Sequence, residues 1–202
     1  MYNSFLSNKV PDNWQKVAYP SLKPLSSWIK DFIERVDFFK EWIIRGQMAS
    51  YFIPALYFPQ GFNTAVKQIY ARKNQIPIDT LVFTTIVHRM DYEPEVLEVG
   101  VNVHGLFLEG CRFDNETLLL SESHKKELFA KMPILSMVPT TIENYHPPQC
   151  YECPLYKTSL RKGELSTTGH STNFVLFLDI ATNESPEHWI RRGAALLCQL
   201  DD

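Results

Sequence analysis

The sequence predicts an α+β protein: N-terminal helices followed by a mostly antiparallel, β-barrel-like unit. Three observations carry this. Apolar residues recur at steps of three and four in the first third, the period changes to two after Pro77, and the strand-like runs beyond are short and closely spaced. Helical and extended patterns are segregated, not alternating, which distinguishes the protein from a doubly wound sheet. The switch divides the 202 residues into a helical part, 1–76, and a β part, 77–202. That length is enough for one good core or for two small subdomains sharing an interface.

Each element has its own warrant. Pro11 to Val17 reads as a short helix, ended by Tyr19-Pro20. From Leu25, the residues Leu25, Trp28, Ile29, Phe32, Val36, Phe39 and Ile43 form one helical stripe, with Lys30, Asp31, Glu34, Arg35 and Glu41 mostly off it. Pro24 suits the helix start and Gly46 its stop. The stretch YFIPALYFPQGF, 51–62, carries two prolines and five aromatics, and reads as an aromatic plug or turn. Helical spacing returns from Phe62 to Tyr70, with Arg72 and Lys73 near the end of the dipole. Alternation then marks strands at 81–88 and 99–104. Shorter runs follow at 117–120, 134–138, 151–160, 174–180 and 194–200. Ser185-Pro186-Glu187 is a helix start.

Composition narrows the function. Apolar residues are 45% and charged residues 21%, ordinary for a folded domain, while aromatics reach 13%. A formal charge of −3 gives no pull toward nucleic acid or anionic lipid. No apolar run approaches the ~20 residues of a spanning helix, and the first residues carry no signal-peptide pattern. Cys111, Cys150, Cys153 and Cys198 are too sparse for a disulfide scaffold, which points to a reducing, intracellular setting.

Several stretches invite chemistry. GELSTTGHS, 163–171, approximates a phosphate loop, but five residues separate Gly163 from Gly169 and His170 stands where lysine belongs. Strand-like runs flank it, so it reads as a connection, with Ser166, Thr167 and Thr168 capping backbone. His170 with Ser166 or Ser171, and Asp179 or Glu164 to orient the imidazole, has the composition of a nucleophile site, yet a triad is a geometry. His146, Cys150 and Cys153 offer three zinc ligands, where a structural site needs a fourth from Cys111, Cys198 or a distant histidine. Glu93, Glu95 and Glu98 read as a solvated acidic loop. Arg161, Lys162, Arg191 and Arg192 are too few for a nucleic-acid face. The residues themselves thus describe an interaction or structural module, with no catalytic, cofactor or metal residues assigned.

Six ordered motifs carry a family resemblance: VPDNWQKVAYPSLKPLSSW, YFPQGFNTAVKQIYAR, IPIDTLVF, VHGLFLEGCRFD, YECPLYKTSLRKGELSTTGHSTNFV and HWIRRGAALLCQLDD. Together they resemble the C-terminal domain of dynein heavy chains, from about Asn8 to Asp202. Tyr156-Lys157-Thr158 and the stretch 166–175 resemble axonemal chains, of inner-arm type. Ile53-Pro54-Ala55 departs from a common family form with tryptophan and glycine before the FPQGF-like run. The resemblance implies a helical part and a β-barrel lying across a ring of six AAA+ modules, a non-catalytic cap that tunes motor output. ATP and magnesium belong to that ring and not to this fragment, and microtubules are reached only through the rest of the parent. It implies location on the axoneme of cilia and flagella, with neither nucleic acid nor membrane as partner. Met1 then reads as a fragment start and QLDD as a natural C-terminus. The alternative is a stand-alone α+β binding module unrelated to a motor.

Overall fold

A computed structural model describes residues 1–161 and 173–202. The protein opens with two short helices, α1 (Tyr2–Leu6) and α2 (Asp12–Gln15), and then the long α3 (Leu25–Arg45). Pro24 precedes the first turn of α3, and Gly46 ends it at a φ of 75°, a conformation that costs glycine least. The plug is more regular than the sequence suggests. It holds a strand, β1 (Tyr51–Phe52), a 3₁₀ turn (Ile53–Ala55), and then α4 (Pro59–Asn74), which starts three residues before the apolar spacing does. Pro59 explains the early start, because its missing N–H costs nothing in the first turn. The first half of the plug is buried, while Tyr57 and Phe58 are exposed; Tyr51 meets Trp42 edge-on at 5.0 Å and Phe62 at 5.1 Å between ring centres.

The β part contains β2 (Leu81–Val87), β3 (Val101–His104), β4 (Phe107–Glu109), β5 (Arg112–Asp114), β6 (Leu119–Ser121), β7 (Phe129–Lys131), β8 (Leu135–Thr141), β9 (Cys150–Tyr156), β10 (Phe174–Ala181) and β11 (Ala195–Leu197). Between the last two lies α5 (Pro186–Arg192), capped by Ser185, whose hydroxyl accepts from the His188 amide. Three sheets result, in the orders β1-β3-β8-β2, β10-β9-β11-β4-β7 and β5-β6. The pairing is mostly antiparallel; β1–β3 and β11–β9 run parallel. Three-residue strands such as β4, β5 and β7 escape a period-two reading because they are too short to show alternation.

The barrel expected from strand spacing is not found closed among the described residues. Closure requires every strand to be hydrogen-bonded on both sides. Here β2 and β10 lie near each other as edges of separate sheets, with no ladder joining them. The α+β class stands. One continuous core runs from Phe38, Tyr51 and Ile53 through Val103, Leu108 and Leu135 to Ile180, Trp189 and Leu196. It therefore crosses the sequence boundary at 76/77.

Two loop features fix the register. Asp114 Oδ1 accepts from the amides of Glu116 and Thr117, closing the β5–β6 hairpin. The Thr117 amide, then Arg112 and the Glu116 amide, hold that carboxyl down at about 2. Gly100 has a φ of 87°, and a Cβ there would collide with the Met137 carbonyl oxygen on β8. Gly100→Ala is expected to cost about 2 kcal/mol or more, from left-handed strain plus overpacking. Urea unfolding of parent and variant measures it; a loss under half that figure would mean the loop relocates.

Candidate interaction surface

Helix α3 buries only Leu25 and Trp28 of the stripe its sequence advertises. Its inward line is Asp31, Arg35, Phe38 and Trp42, joined above by Leu25 and Trp28. Each inward residue is followed by an apolar residue one step, about 100°, round the helix: Phe32, Val36, Phe39 and Ile43. Of these Phe32, Phe39 and Ile43 are exposed, as are Ile29, Ile33 and Ile44. The two isoleucines at the C-terminal end stand 83% and 82% accessible. The apolar arc is simply wider than one face. Doublets betray it in the sequence, Trp28-Ile29, Phe32-Ile33, Phe38-Phe39 and Trp42-Ile43, because neighbours a hundred degrees apart cannot share a narrow seam.

The inward line carries an ion pair whose members fall off the apolar stripe in the sequence. Arg35 is 4% exposed and Asp31 9%, with Nε to Oδ2 at 2.7 Å. The Arg35 guanidinium lies 3.6 Å from the centre of the Tyr19 ring, a cation–π contact in a desolvated place. Burial, and then the hydrogen bond and charge of Asp31, push the Tyr19 phenol well above its ordinary range. The N-terminal arm is thereby pinned to α3. The C-terminal end joins in: Gln199 donates to the Pro20 carbonyl at 2.5 Å, and Lys23 donates to the Asp202 carbonyl at 2.8 Å.

A second polar cluster, His88–Ser136–Asn102, resembles a nucleophile site in composition and fails as one in geometry. Ser136 Oγ donates to Asn102 Oδ1 at 2.6 Å, so the 2.6 Å contact with His88 Nε2 makes the imidazole the donor. Burial lowers the His88 pKa, which favours the neutral ring with its proton on Nε2. The serine faces an N–H and not a base, and is 3% exposed. Asn102 spends both amide protons on carbonyls, Ala49 at 2.9 Å and Glu95 at 2.8 Å. The cluster ties β2, β3 and β8 to two loops.

The residues singled out from sequence are scattered. GELSTTGHS, and with it Glu164, Ser166, His170 and Ser171, lies outside the described residues, as does Lys162. Cys150 and Cys153 sit on β9 three residues apart, an odd step that turns them to opposite faces of the sheet. They cannot chelate one ion together, and His146 is exposed in the loop before them. Among the described residues no cluster of three metal-binding side chains forms. Burial pushes the thiols of Cys111 and Cys198 up to about 12 and that of Cys153 well above its usual range. These three thiols are therefore expected to stay unlabelled by maleimide in the folded protein; stoichiometric labelling under native conditions would contradict the burial.

Asp179 and Glu152 stand opposite each other across β10 and β9. They line a cleft with Phe177, Ile190 and Arg161, and burial raises the Asp179 pKa. Arg161 is committed elsewhere, to Glu109 and to the Gly193 carbonyl. In the same cleft, burial and then the charge of Glu152 push the Cys150 thiol above its ordinary range. Glu93, Glu95 and Glu98 are exposed in the loop before β3, and Arg192 pairs with Glu122 at 2.7 Å. A groove of 630 Å³ beside α4 is lined mainly by Trp42, Tyr51, Phe62 and Ile69, with Lys73 and Glu98 its charged members. Its chemistry is apolar contact.

The fold thus defines an α+β domain whose long helix α3 carries exposed apolar residues along one side. Its family is a specific one: it belongs to the C-terminal domain family of dynein heavy chains, whose model matches residues 1–198. It is 48% identical over 199 residues to human dynein axonemal heavy chain 12, covering 98% of this sequence and 6% of that protein. It is 46% identical over 205 residues to human dynein axonemal heavy chain 1, covering 100% of this sequence and 5% of that protein. Human dynein axonemal heavy chain 6 is 43% identical over 225 residues, covering 100% of this sequence and 5% of that protein. The 202 residues thus span about a twentieth of the length of the relatives they match.

Proposed function

We propose that this protein is the non-catalytic C-terminal cap of an axonemal dynein heavy chain. It packs on the AAA+ motor ring and tunes ATP-driven, minus-end-directed movement on microtubules in cilia and flagella. The family match across residues 1–198 carries the reading. Residues 1–76 are its helical part and 77–202 its β part. ATP and magnesium act in the ring, and microtubules are met through the rest of the heavy chain. Coupling is mechanical: contacts that differ in strength between ring states shift the populations of those states.

The test compares the full heavy chain with one lacking these 202 residues in a gliding and optical-trap assay. ATP hydrolysis is expected to persist, while run length or stall force changes at least twofold. Unchanged velocity, run length and force would remove the regulatory role. Hydrolysis of Mg-ATP by the isolated 202 residues would remove the non-catalytic one.

A further inference from the structure

Exposed apolar residues scattered over a surface mean little, but those on α3 are not scattered. Ile29, Phe32, Ile33, Phe39, Ile43 and Ile44 line one side of a single helix. From Ile29 to Ile44 the strip runs about 22 Å, roughly four helical turns. Its upper end is where covering by other segments stops. Phe5 reaches Trp14 at 5.8 Å between ring centres, Trp14 reaches Trp28 at 5.8 Å, and Tyr19 stacks on Trp28 at 5.8 Å. Trp28 then stacks on Phe32 at 5.4 Å, and nothing among the described residues buries the remainder.

The charges in and beside the strip restrict what completes it, and Lys40 lies within it by helical angle, between Ile29 and Ile33. Lys40 pairs with Asp37 at 3.1 Å and Arg45 with Glu41 at 2.7 Å, both on the helix itself. With Lys30 and Glu34 the exposed charges of α3 come to three of each sign. Nothing here draws a phosphate backbone or an anionic lipid surface. What fits is another largely apolar stripe that leaves room for Lys40. The N-terminal arm already supplies covering segments of this kind, and the matched relatives have about nineteen-twentieths of their length outside this region.

We infer that the α3 strip is the seat of one amphipathic helix of about four turns from the same heavy chain, outside these 202 residues. Its apolar residues at i, i+3, i+4 and i+7 would interdigitate with Phe32, Phe39 and Ile43. The inference rests on the cap reading and assigns the face through which the cap is held.

Single-cysteine reporters in the full-length heavy chain test it. Ile43→Cys and Glu34→Cys are compared, because both positions are exposed here and lie on different sides of α3. Maleimide labelling at Ile43→Cys is expected to run at least tenfold slower than at Glu34→Cys. Equal rates overturn the inference, and so does protection that disappears on dilution, which would assign the strip to a second copy. As an independent arm, Ile43→Asp with Ile44→Asp should raise labelling of Ile33→Cys at least tenfold; an unchanged rate also overturns it. The outcomes separate from those for the cap. Altered motor output with an unprotected strip means the cap docks by another face, and a protected strip with unaltered motor output means docking without regulation.

Discussion

Asp31→Ala is expected to destabilise the protein by about 3–5 kcal/mol, the cost of leaving a buried guanidinium without its counter-charge. Arg35 is only 4% exposed, and the Tyr19 ring packs against its guanidinium. A domain of this size loses about 2–4 °C of melting temperature per kcal/mol, so the midpoint should fall by on the order of 10 °C. The informative companion is the pair Asp31→Leu with Arg35→Met, which removes both charges and keeps much of the volume. It should recover most of the loss, because well-packed apolar side chains often match or exceed a buried ion pair. Thermal melts of the parent and both variants decide it. If the single variant melts within about 2 °C of the parent, less than the shift expected for 1 kcal/mol, then water or a shifted helix end is already solvating Arg35.

The second large effect is expected at Asn102. Asn102→Ala strips the donors from the Ala49 and Glu95 carbonyls and the acceptor from Ser136. A buried polar group left unmatched costs about 1–3 kcal/mol; Ser136 is buried while the two carbonyls are part-buried, so a net loss of about 2–3 kcal/mol is expected. Hydrogen exchange should rise locally, in the loop between β2 and β3 and around Ala49, before global unfolding is reached. Asn102→Asp provides the contrast: it keeps the acceptor for Ser136 but turns a double donor into a charge facing two carbonyls, and should be no better than alanine. A variant within about 1 kcal/mol of the parent would show that solvent replaces both donated bonds.

The two residues differ in how far the sequence announces them. Asp31 and Arg35 are four apart and fall off the apolar stripe, so the sequence does not mark them as internal. The structure rotates α3 so that this pair faces inward, because Tyr19 and the arm cover it while nothing among the described residues covers Ile43. Asn102 sits inside a Val-x-Val alternation, which gives no sign that it is buried. In the sheet, β8 places Ser136 opposite it and the loops close over both. Neither outcome is a matter of local propensity.

Candidate sites divide the same way. Cys150 and Cys153 have metal-ligand spacing as text, but the strand that contains them points them apart. The Ser–His–Asn cluster has no sequence signature, since Asn102 lies 14 residues after His88 and 34 before Ser136. The barrel expectation rests on strand spacing, and spacing counts strands without recording which edges pair.

By itself, the sequence determined the α+β class, the long α3 with its proline start and glycine stop, the main strands, the Ser185 cap and, through six ordered motifs, the family. These rest on periodicity, on special backbone positions and on residue order, all of which are local or linear. Only the tertiary structure decided which side of α3 is buried, which polar residues are internal, and that β2 and β10 remain separate edges. Those depend on what lies across the gap from each side chain. A helix with an apolar arc wider than one face has two ways to turn, and its neighbours choose between them.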